Sequence, residues 1–237
     1  MGFGELWNGG LFSVFMKGEI DTAWYVTLVL GVFFSGIVIP YLFGSINSAV
    51  IISRLLYHDD VRNHGSGNAG MTNMLRTYGK GAAGLTLLGD LLKTVLAVSC
   101  GSFVMGEWLG GWIACLFCMV GHIFPIFHKF KGGKGVLCAA TGVLVLSPFC
   151  FVGVFAIFVL LVSVTRYVSL GSVVGGMMLP LLVNAAWQMG IGHMGINGLI
   201  SVIMALLILW CHRGNLKRIQ NRTESKLTFK KKKDENK

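Results

Sequence analysis

The residues best suited to chemistry fall in four short polar runs. The first, Gly65-Ser66-Gly67-Asn68-Ala69-Gly70, is a glycine-rich turn whose backbone N–H groups can approach an anion closely, with Ser66 and Asn68 as further donors. A helix starting near Thr72 would aim its N-terminal dipole at a phosphate there, with Arg76 one turn on. The run satisfies G-x-G-x-x-G, but no strand precedes it, so a dinucleotide fold is excluded. In the second run, Lys131-Gly132-Gly133-Lys134-Gly135, absent side chains let the backbone and the lysines close around a phosphate. It is not a Walker A loop, because His128 and Gly135 stand where that motif needs a glycine and a serine or threonine. Arg166-Tyr167-Val168-Ser169 and His212-Arg213-Gly214-Asn215 complete the set. His212 is an imidazole that can act as acid or base, or donate to an oxyanion. Taken singly, each run also reads as an ordinary solvated turn.

Other chemistries find less support. Cys115 and Cys118 form a CxxC, but no second Cys/His pair follows at zinc spacing, and the flanks are apolar. The six cysteines all lie in or beside apolar runs, where they act as small hydrophobes and imply no disulfide. No Ser-His-Asp triad and no His-x4-Asp motif is readable. No metal and no cofactor is expected. Asp90 and Lys93 share one helical face within an apolar run and read as a mutual ion pair that fixes packing. His122, before Ile123-Phe124-Pro125, reads as a structural hydrogen-bonding residue.

The elements that must position these groups are membrane helices. Of 237 residues, 54% are hydrophobic and 13% charged, against about 25% charged in soluble domains. Apolar runs near 22–43 (continuing to Leu56), 81–105, 112–127, 136–148, 149–165, 170–189 and 195–211 give about seven spans in an all-α, polytopic bundle. The fourth and fifth are short and meet at Ser147-Pro148, as two short helices or one kinked span. Three regions result: an external or interfacial extension over 1–21, a membrane domain over 22–211 and a basic tail over 212–237. The extension lacks the basic start and long apolar core of a cleavable signal.

The net charge of +10 is largely a property of the tail. Beside a membrane span such a tail marks the cytoplasmic side and attracts anionic lipids, and a nucleic-acid partner is not expected. With the C-terminus inside, the inner segments 57–80, 128–135, 166–169 and 212–237 hold the basic residues, and the outer ones hold Lys17 alone. The N-terminus is then outside. All four polar runs fall on the inner face, so four loops converge on one site facing the cytoplasm. A transporter or channel for a phosphorylated solute would also place basic glycine loops at helix ends. Such proteins often carry internal repeats and a midplane site, and neither is visible here.

The blocks His64 to Arg76, Gly121 to Gly135, Arg166 to Leu170 and His212 to Asn215, in this order and spacing, resemble the signature blocks of the bacterial acyl-phosphate:glycerol-3-phosphate acyltransferase family. The resemblance covers residues 22 to about 226. It implies a seven-helix bacterial plasma-membrane enzyme that transfers a fatty acyl group from acyl phosphate to glycerol 3-phosphate, giving 1-acyl-glycerol 3-phosphate and phosphate, the first acylation of phospholipid synthesis. It implies site residues at Ser66, Asn68, Asn73, Arg76, Lys134, Ser169, His212 and Asn215, with Gly67 and Gly133 in the phosphate-binding turns. His212, Asn215 and Ser66 are the catalytic candidates. Arg76 and Lys134 are expected to hold phosphates, and an already activated donor favours direct attack, His212 or the donor's phosphate taking the proton. An acyl-Ser66 intermediate is the lesser route. Departures from the family pattern are Asn47 for proline, Met71 for alanine, and Leu137-Cys138 within the usual Gly-Val-Ala-Thr ending.

Overall fold

The structure is a computed structural model describing residues 22–193 and 195–227. The extension at 1–21 and the lysines at 230–233 lie outside the described residues. Among the described residues every regular element is helical. In chain order these are α1 (Thr22–Phe33), α2 (Ile39–Ser45), α3 (Ser48–Tyr57), α4 (Met71–Tyr78), α5 (Lys80–Met105), α6 (Trp112–Ile123), α7 (Val136–Leu146), α8 (Pro148–Thr165), α9 (Val168–Gln188), α10 (Gly195–Cys211) and α11 (Arg213–Gln220).

Five runs are long and apolar enough to cross a membrane: Tyr25–Tyr57, Lys80–Met105, Leu109–His128, Pro148–Thr165 and Val168–Gln188. A sixth candidate is the apolar α10, which reaches that length only when counted with the polar α11 beyond a 52° bend. The segment expected as a fourth span forms α7, whose 11 residues rise only about 16 Å, short of a core of about 30 Å. At Ser147 the backbone leaves helical geometry (φ −151°, ψ 84°) and Pro148 opens α8, so the fourth and fifth runs are two helices rather than one bent helix.

Close packing begins with glycine. A Cβ on Gly44 of α2 would lie 2.0 Å from the Cys118 carbonyl oxygen, and one on Gly121 of α6 would lie 2.2 Å from that of Tyr41. The two helices therefore touch backbone to backbone, a geometry that small residues permit in membranes. Tyr41 Oη adds a bond to the Phe124 carbonyl at 2.8 Å. Trp112, Met119, Val143, Leu179 and Met204 fill the core beyond them.

The Asp90–Lys93 pair forms as expected, at 2.8 Å and fully enclosed. Lys93 Nζ also donates to the carbonyls of Gly44 and Ile46 at 3.2 and 2.8 Å, satisfying acceptors left open where α2 ends. Ser48 Oγ donates to Asp90 at 2.9 Å, and His122 Nδ1 lies 2.9 Å from Lys93 Nζ. This network ties α2, α3, α5 and α6 together beneath the polar loops.

Candidate functional site

The first polar run is shaped by Asn73, on the first turn of α4. Its amide nitrogen donates to the carbonyls of Val61 and His64, each at 3.0 Å, and its oxygen accepts the Ser66 N–H at 2.9 Å. Asn73 is 1% exposed, so its amide is spent on holding the loop and presenting Ser66. Gly65 (φ 58°) and Gly67 (φ 70°) take left-handed conformations that glycine adopts without strain. Asn47 caps α3 by accepting the Val50 N–H at 3.1 Å and donates to the Ala69 carbonyl at 3.3 Å. Asn47 thus anchors the end of the loop. Helix α4 starts at Met71, one residue before the expected Thr72.

The second run behaves differently from expectation. The N–H groups of Gly132 and Gly133 donate to the carbonyls of Ile123 and His122 at 3.2 and 3.0 Å, so they do not face a substrate. A Cβ on Gly133 would sit 2.1 Å from His122 Nε2. These glycines let the turn press against the end of α6, and the side chain delivered inward is Lys134. Its Nζ donates to Asn215 Oδ1 at 2.5 Å. Burial lowers the Lys134 pKa to about 8, with Arg218 and Arg76 adding to the effect and Glu224 opposing it.

The last run supplies His212 and Asn215 at the bend between α10 and α11. His212 Nδ1 lies 2.8 Å from the Ile208 carbonyl. An oxygen acceptor there requires the proton on Nδ1, which leaves Nε2 as an acceptor. Burial first, then the Lys134 charge, lowers its pKa to about 4, although the Ile208 contact opposes this. Arg213 turns away, donating to the Trp210 carbonyl at 2.8 Å and lying over the Trp210 ring.

Glu224, which lies in none of the four polar runs, completes the polar end of the site. Its Oε1 accepts from Ser169 Oγ at 2.8 Å and from Asn215 Nδ2 at 2.6 Å, and its Oε2 accepts from Arg218 Nε at 2.7 Å. Burial alone would raise its pKa, but the bonds from Asn215, Arg218 and Ser169 bring it below the ordinary carboxylate value. One signal existed: Glu224 is the lone acid between Cys211 and Asp234.

These groups surround one cavity of about 440 Å³. Ser66, Asn68, Asn73, Arg76, Lys134, Ser169, His212, Asn215 and Glu224 line its polar end, whereas Gly67 and Gly133 stand behind the lining. All four inner segments contribute. The cavity continues as an apolar groove bounded by Leu87 and Leu91 of α5, Ala140 and Leu144 of α7, Phe151, Phe155 and Phe158 of α8, and Gly175 and Leu179 of α9. Leu144 and Phe155 are 41% and 52% exposed, so the groove opens sideways, where apolar helices face lipid. Along α7 it runs about 12 Å from Val136 to Leu144. Among the described residues no cluster of three or more His, Cys, Asp or Glu is placed to hold a metal ion.

The chain is similar to known proteins in sequence and in fold. Residues 34–222 match the family model described as glycerol-3-phosphate acyltransferase. A glycerol-3-phosphate acyltransferase of Syntrophomonas wolfei is 41% identical over 194 residues, covering 82% of this chain and 96% of the relative. One of Bacillus subtilis is 35% identical over 196 residues, covering 81% and 96%. Among solved structures, PlsY (YgiH), an integral membrane glycerol 3-phosphate acyltransferase, in its glycerol 3-phosphate form is 31% identical. It superposes with a TM-score of 0.69, over 85% of this chain and 96% of that one. Its lysophosphatidic acid form gives 29% and 0.68.

Proposed function

The chain belongs to the glycerol-3-phosphate acyltransferase family, and on that premise we propose that its cavity moves a fatty acyl group from acyl phosphate to glycerol 3-phosphate. It is an integral membrane acyltransferase. The observation that carries the finer reading is the continuity of a cationic, hydrogen-bonding end with an apolar groove. One end suits two phosphates and the other suits an acyl chain lying toward the bilayer.

The residues divide the work. Arg76 and Lys134 hold the phosphates of the two substrates against their mutual repulsion, and Ser66 and Asn68 add neutral donors from the first loop. Asn73, Ser169, Asn215 and Glu224 keep those groups in place. His212 Nε2 accepts a hydrogen bond from the attacking glycerol hydroxyl and orients it. The hydroxyl oxygen bonds to the acyl carbon, the bond from that carbon to the phosphate oxygen breaks, and inorganic phosphate leaves. A histidine with a pKa of about 4 is a weak acceptor for the hydroxyl proton. The departing phosphate, whose oxygen becomes strongly basic as its bond to the acyl carbon breaks, takes it more readily. Ser66 remains a donor in this scheme, since no base within its hydrogen bonds activates it.

Basic residues concentrated on one set of segments support a site facing the cytoplasm of a bacterial cell membrane with the N-terminus outside, and α7, as a half-length helix, would complete a seven-segment bundle. Purified protein in lipid vesicles tests the reading: phosphate release from acyl phosphate should require glycerol 3-phosphate and yield the mono-acylated product. Transfer from acyl thioesters alone would overturn the donor assignment.

A further inference from the structure

We infer that Arg62 is a positioning residue that clamps the 128–133 turn onto the first polar loop and thereby sets where Lys134 stands in the cavity. Its Nε and Nη2 grip both carboxylate oxygens of Asp60 at 2.9 and 2.7 Å, a two-point fork that fixes the guanidinium plane. Nη1 is left to donate to the carbonyls of His128 and Lys131 at 3.0 and 3.1 Å. Asp60 is itself anchored: it accepts the Arg62 N–H at 3.1 Å and pairs with Arg54 at 2.9 Å.

The two carbonyls that Arg62 holds bracket Lys129 and Phe130, each with φ of 57°. Side-chain-bearing residues disfavour this left-handed region, and two in succession persist only where the surroundings over-determine them. Phe130 N–H donates to Pro125 at 2.9 Å and Lys131 N–H to His128 at 3.2 Å. Arg62 supplies the tie to the segment that leads into the first polar loop. Beyond the turn, Gly132 and Gly133 are pinned against the end of α6, so little slack separates the clamp from Lys134. At its other end, Arg62 neighbours Val61, whose carbonyl is held by Asn73. One scaffold therefore carries both Ser66 and Lys134. Arg62 does not line the cavity, so it acts through the turn and not on a substrate.

The inference rests on the reading of Lys134 as a phosphate holder, and a double-mutant cycle separates the two. The full-length protein in lipid vesicles is assayed with acyl phosphate, reading kcat/KM for glycerol 3-phosphate. Arg62→Lys keeps the charge but not the fork, and should lose at least about tenfold, the scale of a charge-assisted hydrogen bond. In a Lys134→Ala background the same change should cost less than about twofold, because neighbours acting as a unit are non-additive. Asp60→Asn should show the same coupling more mildly and covers the case in which Arg62→Lys fails to insert. The alkaline limb that titrates Lys134 should also move upward in Arg62→Lys, as the ammonium gains water. Equal losses in both backgrounds would make Arg62 a general fold residue and overturn the clamp, as would wild-type activity in Arg62→Lys. Wild-type activity in Lys134→Ala alone would remove the phosphate-holder reading and the clamp with it.

Discussion

Lys134 Nζ and Asn215 Oδ1 stand 2.5 Å apart at the polar end of the cavity, so the turn before α7 and the first turn of α11 share a bond where the substrates must meet. Lys134→Ala should therefore cost both a cation and the alignment of Asn215. We expect at least about 1.5–3 kcal/mol of lost transition-state stabilisation, or more than about tenfold in kcat/KM. Arg76→Ala, which removes an exposed cation from the same lining, should fall in that range too. Steady-state rates on correctly inserted protein test both, and wild-type turnover in both would reduce the two loops to ordinary basic turns.

The same lysine should set an alkaline limb. Burial lowers its pKa to about 8. It is cationic below that value and neutral above it, so kcat/KM for glycerol 3-phosphate should decline as pH rises through about 8. Lys134→Arg stays charged throughout and should abolish the limb even where it lowers the rate. A limb unchanged in Lys134→Arg would mean that another group titrates.

Glu224 joins α9 to α11 through Ser169, Asn215 and Arg218. Its folded-state pKa is depressed, so its stabilisation is present above the ordinary carboxylate pKa and lost as pH falls through the folded value. Glu224→Gln should lower the thermal midpoint at neutral pH and flatten the loss of stability on acidification. Thermal unfolding in detergent at several pH values reads this out. An unchanged acid slope would show that the carboxylate carries no such stabilisation.

Much of this was legible because it lies in residue types. Apolar runs marked the helices, basic residues marked one set of connecting segments, and Ser66, Arg76, Lys134, His212 and Asn215 were readable as chemistry. The rest depends on backbone groups, which every residue has. Nothing in the sequence shows that Gly132 and Gly133 donate to Ile123 and His122, or that Arg62 seeks the carbonyls of His128 and Lys131. Asn73 entered the site through the resemblance alone, and its bonds to three loop groups could not be read from its residue type. Helix α7 read as a span from its apolarity, although its length falls short.

The sideways groove predicts an effect on donor choice. Ala140 lines it between the polar end and Leu144, so Ala140→Phe should obstruct long acyl chains while leaving the phosphate end intact. The ratio of kcat/KM for long-chain over short-chain acyl phosphates should drop several-fold, since about 0.8 kcal/mol attends each methylene denied burial. A uniform loss for all chain lengths would place the chain elsewhere.

Orientation is open to labelling. A cysteine at Gly190, in the exposed turn after α9, should react with an impermeant reagent from outside the cell, and one at Arg222, beyond α11, only after permeabilisation. The opposite pattern would invert the bundle and put the cavity's polar end outside.

His212 separates two routes for the hydroxyl proton. An unperturbed histidine would titrate near pH 6.5, and as the base it would impose an acid limb there on kcat/KM. Here burial and the Lys134 charge lower its pKa to about 4, while the Ile208 carbonyl holds the Nδ1 proton. The imidazole is then neutral across the working range, with Nε2 ready to accept a hydrogen bond but too weakly basic to keep a proton. Any acid limb near pH 6 should therefore come from substrate phosphate, whose second ionisation falls there. His212→Gln retains an amide acceptor but cannot titrate. Its rate should drop by roughly ten- to a hundredfold through lost orientation, less than the about 10²–10⁴-fold that a proton-transferring group contributes, while the shape of the acid limb stays as in the wild type. Disappearance of that limb in His212→Gln would instead make the imidazole the proton acceptor, its basicity raised in the complex by the neighbouring phosphates. Near-normal turnover at pH 7 would remove His212 from the reaction altogether.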